Sequence, residues 1–324
     1  MTVSVVMVSY HTGPVLSRSI EAALASNDVT DVILVDNGNP EAVVQELEAW
    51  SSGEPRLSLL SGHGNIGFAA ACNRGAEAAS GAYLFFLNPD AVLGEAAVAE
   101  LLRVGEKEAG SLWAVGPKLL NPDGTEQQGG RREILTPLNA FVEATRLYKI
   151  APKHPRFKRL NSHEAEQLTK VTPVPCLSGA AFMVPREAFD AIDGFDEGYF
   201  LHVEDIDFFL RLENAGGRSL YVPQAEVFHY KSSSRVDPLR IERLKKQSLN
   251  RYFARHYTGF YPKGFLTLLR GMLWFSFGFR ATVWRARRWT RFAMFSLRNG
   301  FGATKRAARF TKRLNRLGKR PSVE

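Results

Sequence analysis

Strand-like and helix-like segments alternate without a break over the first 120 residues, and that rhythm constrains the fold more than any other feature of the chain. Val3–Ser9 is a β-branched run, Val15–Ser26 repeats apolar positions at helical spacing, and Val32–Val35 is a second apolar run stopping at Asp36-Asn37-Gly38. The same reading predicts a helix at about 41–50, a strand at 57–60 and an Ala-rich helix at about 68–79. A buried strand at Tyr83–Leu87, a helix near 95–107 and a strand near 112–116 complete the series. Such alternation specifies an α/β fold: a mostly parallel central sheet with helices on both faces. Residues 121–170 lose the pattern and carry Gly, Pro and basic residues, which reads as an insertion over the sheet edge. Strand signals return at 174–184 and 218–229, and beyond Pro238 the chain turns helical and basic.

In sheets of this kind ligands bind outside the carboxyl ends of the strands. Three polar clusters directly follow strands: Ser9-Tyr10, Asp36-Asn37 and Asn88-Pro-Asp90. Each could serve as a turn or a cap, yet together they could converge on one crevice. A carboxylate at Asp90 suits a hard divalent cation, Mg²⁺ or Mn²⁺, that also bridges substrate phosphates. One carboxylate is not enough, and His229, at the end of a later strand, is a candidate second ligand or a structural histidine. The loop Gly62-His-Gly-Asn-Ile-Gly-Phe68 offers glycines for close backbone approach and a helix start suited to an anion. It matches neither the dinucleotide fingerprint after the first strand nor the phosphate loop ending in Gly-Lys-Ser/Thr, which disfavours dinucleotide oxidoreductases and P-loop nucleotidases. The densest carboxylate group, Glu204, Asp205 and Asp207, follows the aromatic approach Tyr199-Phe-Leu. It suits a helix N-terminus by charge alone, and equally a general base in a partly desolvated pocket.

Charge divides the chain. Residues 235–324 hold 23 Lys and Arg against 3 Asp and Glu, a net +20, while the other 234 residues sum to −11. Arg280, Arg287, Arg291 and Arg298 share one face if their segment is helical, and Trp274, Phe275, Phe277, Phe279, Trp284 and Trp289 lie nearby. That mixture suits a helix lying in an anionic membrane surface through residues 240–320, or packing on a partner. A nucleic-acid partner would also attract such charge, but no recognised nucleic-acid motif is present and the remaining domain is acidic. The start of the chain has no positive leader and reads as a strand, and the best spanning candidate, Gly264 to Val283, is broken by Arg270 and Arg280. A cytoplasmic protein, peripheral at the inner face of the cell membrane, is expected. The two cysteines, Cys72 and Cys176, read as reduced packing residues.

Read in order, Val-Ser-Tyr-His11, Val-Asp-Asn-Gly38, Gly-Asn-Ile-Gly-Phe68 with Asn73, and Leu-Asn-Pro-Asp-Ala91 form a series. It continues through Leu-Ser-Gly-Ala-Ala-Phe-Met-Val184, Gly-Phe-Asp-Glu197, Val-Glu-Asp-Ile-Asp207 and Tyr-Val-Pro-Gln-Ala-Glu-Val-Phe-His229. The series resembles the family 2 glycosyltransferases of GT-A fold, and more closely their rhamnosyltransferase-like branch. The resemblance covers about 1–235, taken as the catalytic domain, with 236–324 as a basic, mainly helical C-terminal region. It implies an inverting transfer from a nucleotide-diphosphate sugar, dTDP-L-rhamnose first and UDP-sugars next. The acceptor it implies is a glycan or a polyprenyl-diphosphate-linked glycan of envelope polysaccharide assembly. Donor contacts would come from Ser9, Tyr10, Asp36, Asn37, Asn65, Gly67, Asn73 and Asn88, and acceptor contacts from Gly179 and His202. Asp90, the last position of the family's Asp-x-Asp motif, would bind metal with His229; the first Asp is Asn88 here. Asp205 matches the family's base, with Glu204 its neighbour and second choice.

Overall fold

The computed structural model describes residues 2–108, 110–150, 154, 168–231, 237–262, 264–278 and 282. Its first half alternates as the sequence predicts: β1 (Val3–Ser9), α1 (Val15–Ala25), β2 (Val29–Asp36), α2 (Glu41–Gly53), β3 (Leu57–Leu60), α3 (Phe68–Ala78) and β4 (Tyr83–Leu87). A short strand β5 (Ala91–Leu93), helix α4 (Ala97–Gly105) and β6 (Trp113–Leu120) follow. The second half contributes β7 (Arg131–Arg132), α5 (Pro137–Thr145), α6 (Leu147–Ile150), β8 (Thr172–Pro173), β9 (Cys176–Leu177) and β10 (Ala181–Pro185). Last come α7 (Arg186–Ala191), α8 (Glu204–Asn214), β11 (Arg218–His229) and α9 (Pro238–Tyr257), with a further helix over 264–278.

The nine-stranded main sheet runs β3-β2-β1-β4-β10-β6-β11-β5, with β8 pairing β11. Strands β1 to β4, β6 and β11 share one direction, and β10, β5 and β8 oppose it. The sheet is therefore mostly parallel, but its β10 side is mixed. Both faces are buried, so alternate residues of one strand serve two cores. Val6, Val8, Leu84, Phe86 and Phe182 join one cluster; Val5, Met7, Leu34, Phe85 and Met183 join the other. On the first face Phe86, Phe182, Phe189, Phe195, Phe208 and Phe209 form a knot of rings with centroids 5.0–6.2 Å apart.

The segment read as an edge insertion has order of its own. Pro137 sits in the first turn of α5, Thr136 Oγ1 accepts the Asn139 N–H, and Asn139 Oδ1 accepts the Thr136 N–H, a reciprocal cap. Strand β7 pairs β9 in a separate ribbon, Arg131 opposite Leu177 and Arg132 opposite Cys176.

Helix α9 and the helix over 264–278 are fastened to the sheet: Leu249, Tyr252, Phe253, Leu269 and Leu273 belong to the same apolar cluster as Phe86 and Phe182. Polar ties reinforce the contact. Ser248 Oγ donates to Leu201 O, and Arg251 and Arg255 both pair with Asp196. Among the described residues no helix is long and apolar enough to cross a membrane. The arginine row at 280, 287, 291 and 298, with the aromatic residues at 279, 284 and 289, lies outside the described residues.

Candidate functional site

The chain goes outward from β1 through β2 to β3, then returns to place β4 on the other side of β1. That reversal opens a crevice at the carboxyl ends of β1 and β4, the place where such sheets bind ligands. A cleft of about 1230 Å³ occupies it, and Tyr10, Asn37, Asn65, Asn88, Asp90, Gly179, His202, Glu204, Asp205 and His229 all line it. Residues of all three clusters, of the Gly-rich loop and of three later segments, scattered over more than 200 residues of sequence, thus meet in one space.

Four of the expected donor residues stand outside that lining. Ser9 is fully buried, its hydroxyl on Thr12 and Asn39. Asp36 Oδ1 accepts from the N–H groups of Gly38 and Asn39 and from the Asn39 amide, so it shapes the turn after β2. Gly67 offers its carbonyl to Asn37 Nδ2, and its φ of 92° admits a residue without a side chain. A Cβ there would meet Phe200 O at 2.9 Å, so the glycine is needed for packing against the turn before α8. The helix start behind it does not, however, present all its donors to an anion: Phe68 N–H is already donated to Phe200 O. Asn73 clasps Phe195 through both its amide atoms, at 2.9 Å each, and reaches Glu197; it ties α3 to the turn before α8.

Asp90 and His229 are brought together by a strand absent from the sequence reading. Antiparallel pairing of β5 with β11 sets His229 opposite Ala91, and Tyr230 N–H bonds Asp90 O at 2.9 Å. His229 Nε2 then lies 3.2 Å from Asp90 Oδ1 and 3.3 Å from Asn88 Nδ2. Gln127 decides the tautomer. Its Nε2 donates to His229 O at 2.9 Å and Asn121 Oδ1 at 3.1 Å, so its Oε1, 2.7 Å from His229 Nδ1, must accept the Nδ1 proton. With its Nδ1 proton given to Gln127, the ring turns Nε2 toward the Asp90 carboxylate and the Asn88 amide. An imidazole oriented in this way beside a carboxylate fits a Mg²⁺ or Mn²⁺ donor set. Among the described residues no set of three or more His, Cys, Asp or Glu side chains forms a metal site. The remaining ligands would have to be phosphate oxygens and water.

The other wall carries the carboxylates. His202 and Val203 adopt left-handed backbone, φ 67° and 76°, strained for a β-branched residue, and this turn delivers Glu204 and Asp205 to the first turn of α8 at the cleft. Asp205 Oδ2 accepts from Arg132 Nη2 at 2.5 Å and from Gly179 N–H at 3.0 Å. Burial alone would raise its proton affinity, but the Arg132 guanidinium and these hydrogen bonds outweigh it and hold the carboxyl below its ordinary range. Glu204 goes the other way. Burial first, and then the Asp205 charge, push it up to about 8, and its Oε2 is buried without a hydrogen-bond partner. Asp207 is structural: fully buried, it accepts from Tyr199 Oη and Arg211 Nε and pairs with His256 of α9. Gly179 lines the cleft as expected, but its N–H is spent on Asp205, and a Cβ there would crowd Asp205 Cβ at 2.8 Å.

Arg132 and Gln127 were not singled out in the sequence. In the structure Arg131 turns to Glu126 and Tyr221, so its neighbour Arg132 turns to Asp205, an alternation that two residues are too few to announce in the sequence.

Comparisons with known proteins agree with this geometry. The glycosyl transferase family 2 model matches residues 4–193, and that of glycosyl transferase family group 2 matches 157–304. The chain is 32% identical over 291 residues to an N-acetylglucosaminyl-diphospho-decaprenol L-rhamnosyltransferase of Mycobacterium tuberculosis, covering 83% of this chain and 89% of the relative. Among solved structures it resembles GalNAc-T7 with UDP, GalNAc and Mn²⁺ (TM-score 0.56, 17% identity, 84% of this chain but 55% of that one). It also resembles the mannosyltransferase PcManGT of Pyrobaculum calidifontis with GDP-Man and Mn²⁺ (TM-score 0.52, 14% identity, 83% of this chain and 68% of that one). At these identities the structural likenesses establish the GT-A fold.

Proposed function

Because the chain belongs to glycosyl transferase family 2, we propose that it is an inverting glycosyltransferase moving L-rhamnose from dTDP-L-rhamnose to a polyprenyl-diphosphate-linked acceptor in cell-envelope polysaccharide assembly. One observation carries the reaction class: a carboxylate kept ionised, Asp205, shares a cleft with a polar crevice at the β1/β4 switch point. The choice of sugar and lipid rests on the mycobacterial rhamnosyltransferase, with which most of this chain aligns.

The roles follow from protonation. At neutral pH Glu204, pushed up to about 8 by burial and the Asp205 charge, is mostly protonated, whereas Asp205 is ionised. Asp205 accepts the proton of the acceptor hydroxyl as that oxygen attacks the anomeric carbon, and the bond from that carbon to the diphosphate breaks on the opposite face. Arg132 must loosen its hold as the proton arrives; until then it keeps the carboxylate charged and aimed. Tyr10, Asn37, Asn65 and Asn88 orient the nucleotide sugar. Asp90 and His229 would hold a divalent cation, which supplies positive charge to the leaving diphosphate. His202 borders the acceptor. The basic stretch beyond 235 brings the enzyme to the anionic surface where a lipid-linked acceptor resides.

The test is a hydrolysis and transfer screen over a panel of nucleotide sugars, run with Mg²⁺, with Mn²⁺ and with excess chelator. The reading predicts turnover of dTDP-L-rhamnose above all UDP- and GDP-sugars and its loss in chelator. A preference for another nucleotide would overturn the donor assignment. Undiminished activity in chelator would transfer the charge-neutralising role to protein side chains.

A further inference from the structure

Beyond Asp205 the cleft changes character. Helix α9 and the end of α5 bring Arg240, Lys245 and Arg146 to its wall, and interleave them with Ile241, Leu244 and, from the helix over 264–278, Leu273. On α9 the basic and apolar positions fall in adjacent rows, Arg240 above Leu244 and Ile241 above Lys245, so one helix face offers both chemistries. His202 joins the two regions. Its ring, kept less basic by burial and then by Lys245, also feels Asp205, Glu242 and Arg132. Glu143 and Glu242 face the same space; with Lys246 counted among the cations, this end keeps an excess of two positive charges. Nucleotide recognition does not call for such a wall, because a base and ribose find their polar partners at the β1/β4 switch point. A diphosphate ester on a hydrocarbon chain calls for cations and apolar surface side by side.

We propose that Arg146, Arg240 and Lys245, with Ile241, Leu244 and Leu273, form a subsite for a prenyl diphosphate, holding the acceptor's diphosphate and the first part of its hydrocarbon chain. The inference rests on the acceptor class proposed above and adds where that acceptor sits. The order of groups agrees. His202 feels both Asp205 and Lys245, so it links the base to the cations and the apolar wall, while the donor contacts line the same cleft at the switch point. The substrates in line present donor sugar, acceptor hydroxyl, acceptor sugar, then diphosphate and lipid.

The experiment titrates full-length protein with farnesyl diphosphate, inorganic diphosphate and dTDP, comparing wild type, the double variant Arg240→Ala/Lys245→Ala and the single variant Leu244→Ser. Thermal melts confirm that each variant folds; Arg240 and Lys245 are exposed and Leu244 is half-exposed. Removing both cations should weaken farnesyl diphosphate about a hundredfold, about tenfold for each, and leave dTDP within about twofold. Leu244→Ser should weaken farnesyl diphosphate and leave inorganic diphosphate unchanged. Equal loss of dTDP and farnesyl diphosphate would assign these cations to the donor and overturn the proposal. So would unchanged farnesyl diphosphate binding, including the case where only adsorption to anionic vesicles falls. Retained turnover of dTDP-L-rhamnose alongside that result would sink the subsite alone. A failed donor screen alongside the expected binding differences would sink the donor assignment alone.

Discussion

Glu204 and Asp205 are adjacent in sequence, equally close to the cleft, and opposite in protonation. The difference lies in their partners: Asp205 receives a guanidinium and two backbone N–H groups, while Glu204 Oε2 receives none. Stability records this. Glu204 binds its proton more tightly in the folded chain, up to about 8 against an ordinary 4.5, so its contribution is full below 4.5 and is lost as pH rises toward 8. Each tenfold in proton affinity is worth about 1.4 kcal/mol. Melts of wild type and Glu204→Gln at pH 5 and pH 8.5 should show the variant gaining relative stability at the higher pH; a constant difference would mean Glu204 is not buried as a neutral acid. The motif residues Asp90, Asp205 and His229 were legible because a carboxylate and a histidine at strand ends and an acidic cluster at a helix start stand out in the sequence. Arg132 and Gln127 were not, since an arginine and a glutamine in an irregular stretch announce nothing until tertiary pairing turns one toward Asp205 and the other toward His229.

At the scale of elements, the strands and helices of the first half were readable because both-face burial writes long β-branched runs and α3 writes an alanine stripe. The short strands were not. Strand β5 has three residues and β7 two, too few to show a period, yet β5 makes the Asp90–His229 contact and β7 supplies Arg132. Helix α5 did leave a mark, the Thr-Pro-x-Asn of its reciprocal cap. Helix α9 was foreseen as basic and helical; that it closes the aromatic core could not be, because its buried face interleaves Leu249, Tyr252 and Phe253 with many charges. Its electrostatic bolt is Asp207, which His256, Arg211 and Tyr199 all engage. Asp207→Asn leaves the Arg211 cation without its carboxylate and should cost about 3–5 kcal/mol, read by chemical denaturation. A loss below about 1 kcal/mol would show that the Asp207 cluster is not what fastens α9, leaving its apolar contacts and the Asp196 and Leu201 ties.

The whole molecule separates its tasks along the sheet. In the proposed reaction the switch point takes the donor, Asp205 at the start of α8 is the base, and the α9 wall of the cleft takes the acceptor. The charge division of −11 and +20 along the sequence leads to a prediction, because an anionic lipid surface would attract the basic stretch and not the acidic remainder. Full-length protein should co-sediment with vesicles containing anionic lipid and not with neutral ones. Salt should release it only in part, since aromatic and apolar contacts are not screened. Equal binding to neutral vesicles would remove charge from the account.

In the proposed reaction Asp205 is the base of a single displacement. The direct measurement compares wild type and Asp205→Asn for turnover of donor to acceptor and, in the same preparations, for donor affinity. Asparagine keeps the size and the hydrogen bond from Gly179 but cannot take a proton. Turnover should fall by about 10²–10⁴ while donor affinity stays within about twofold. Turnover near that of wild type, with the fold intact, would contradict the account and require another group to take the acceptor's proton.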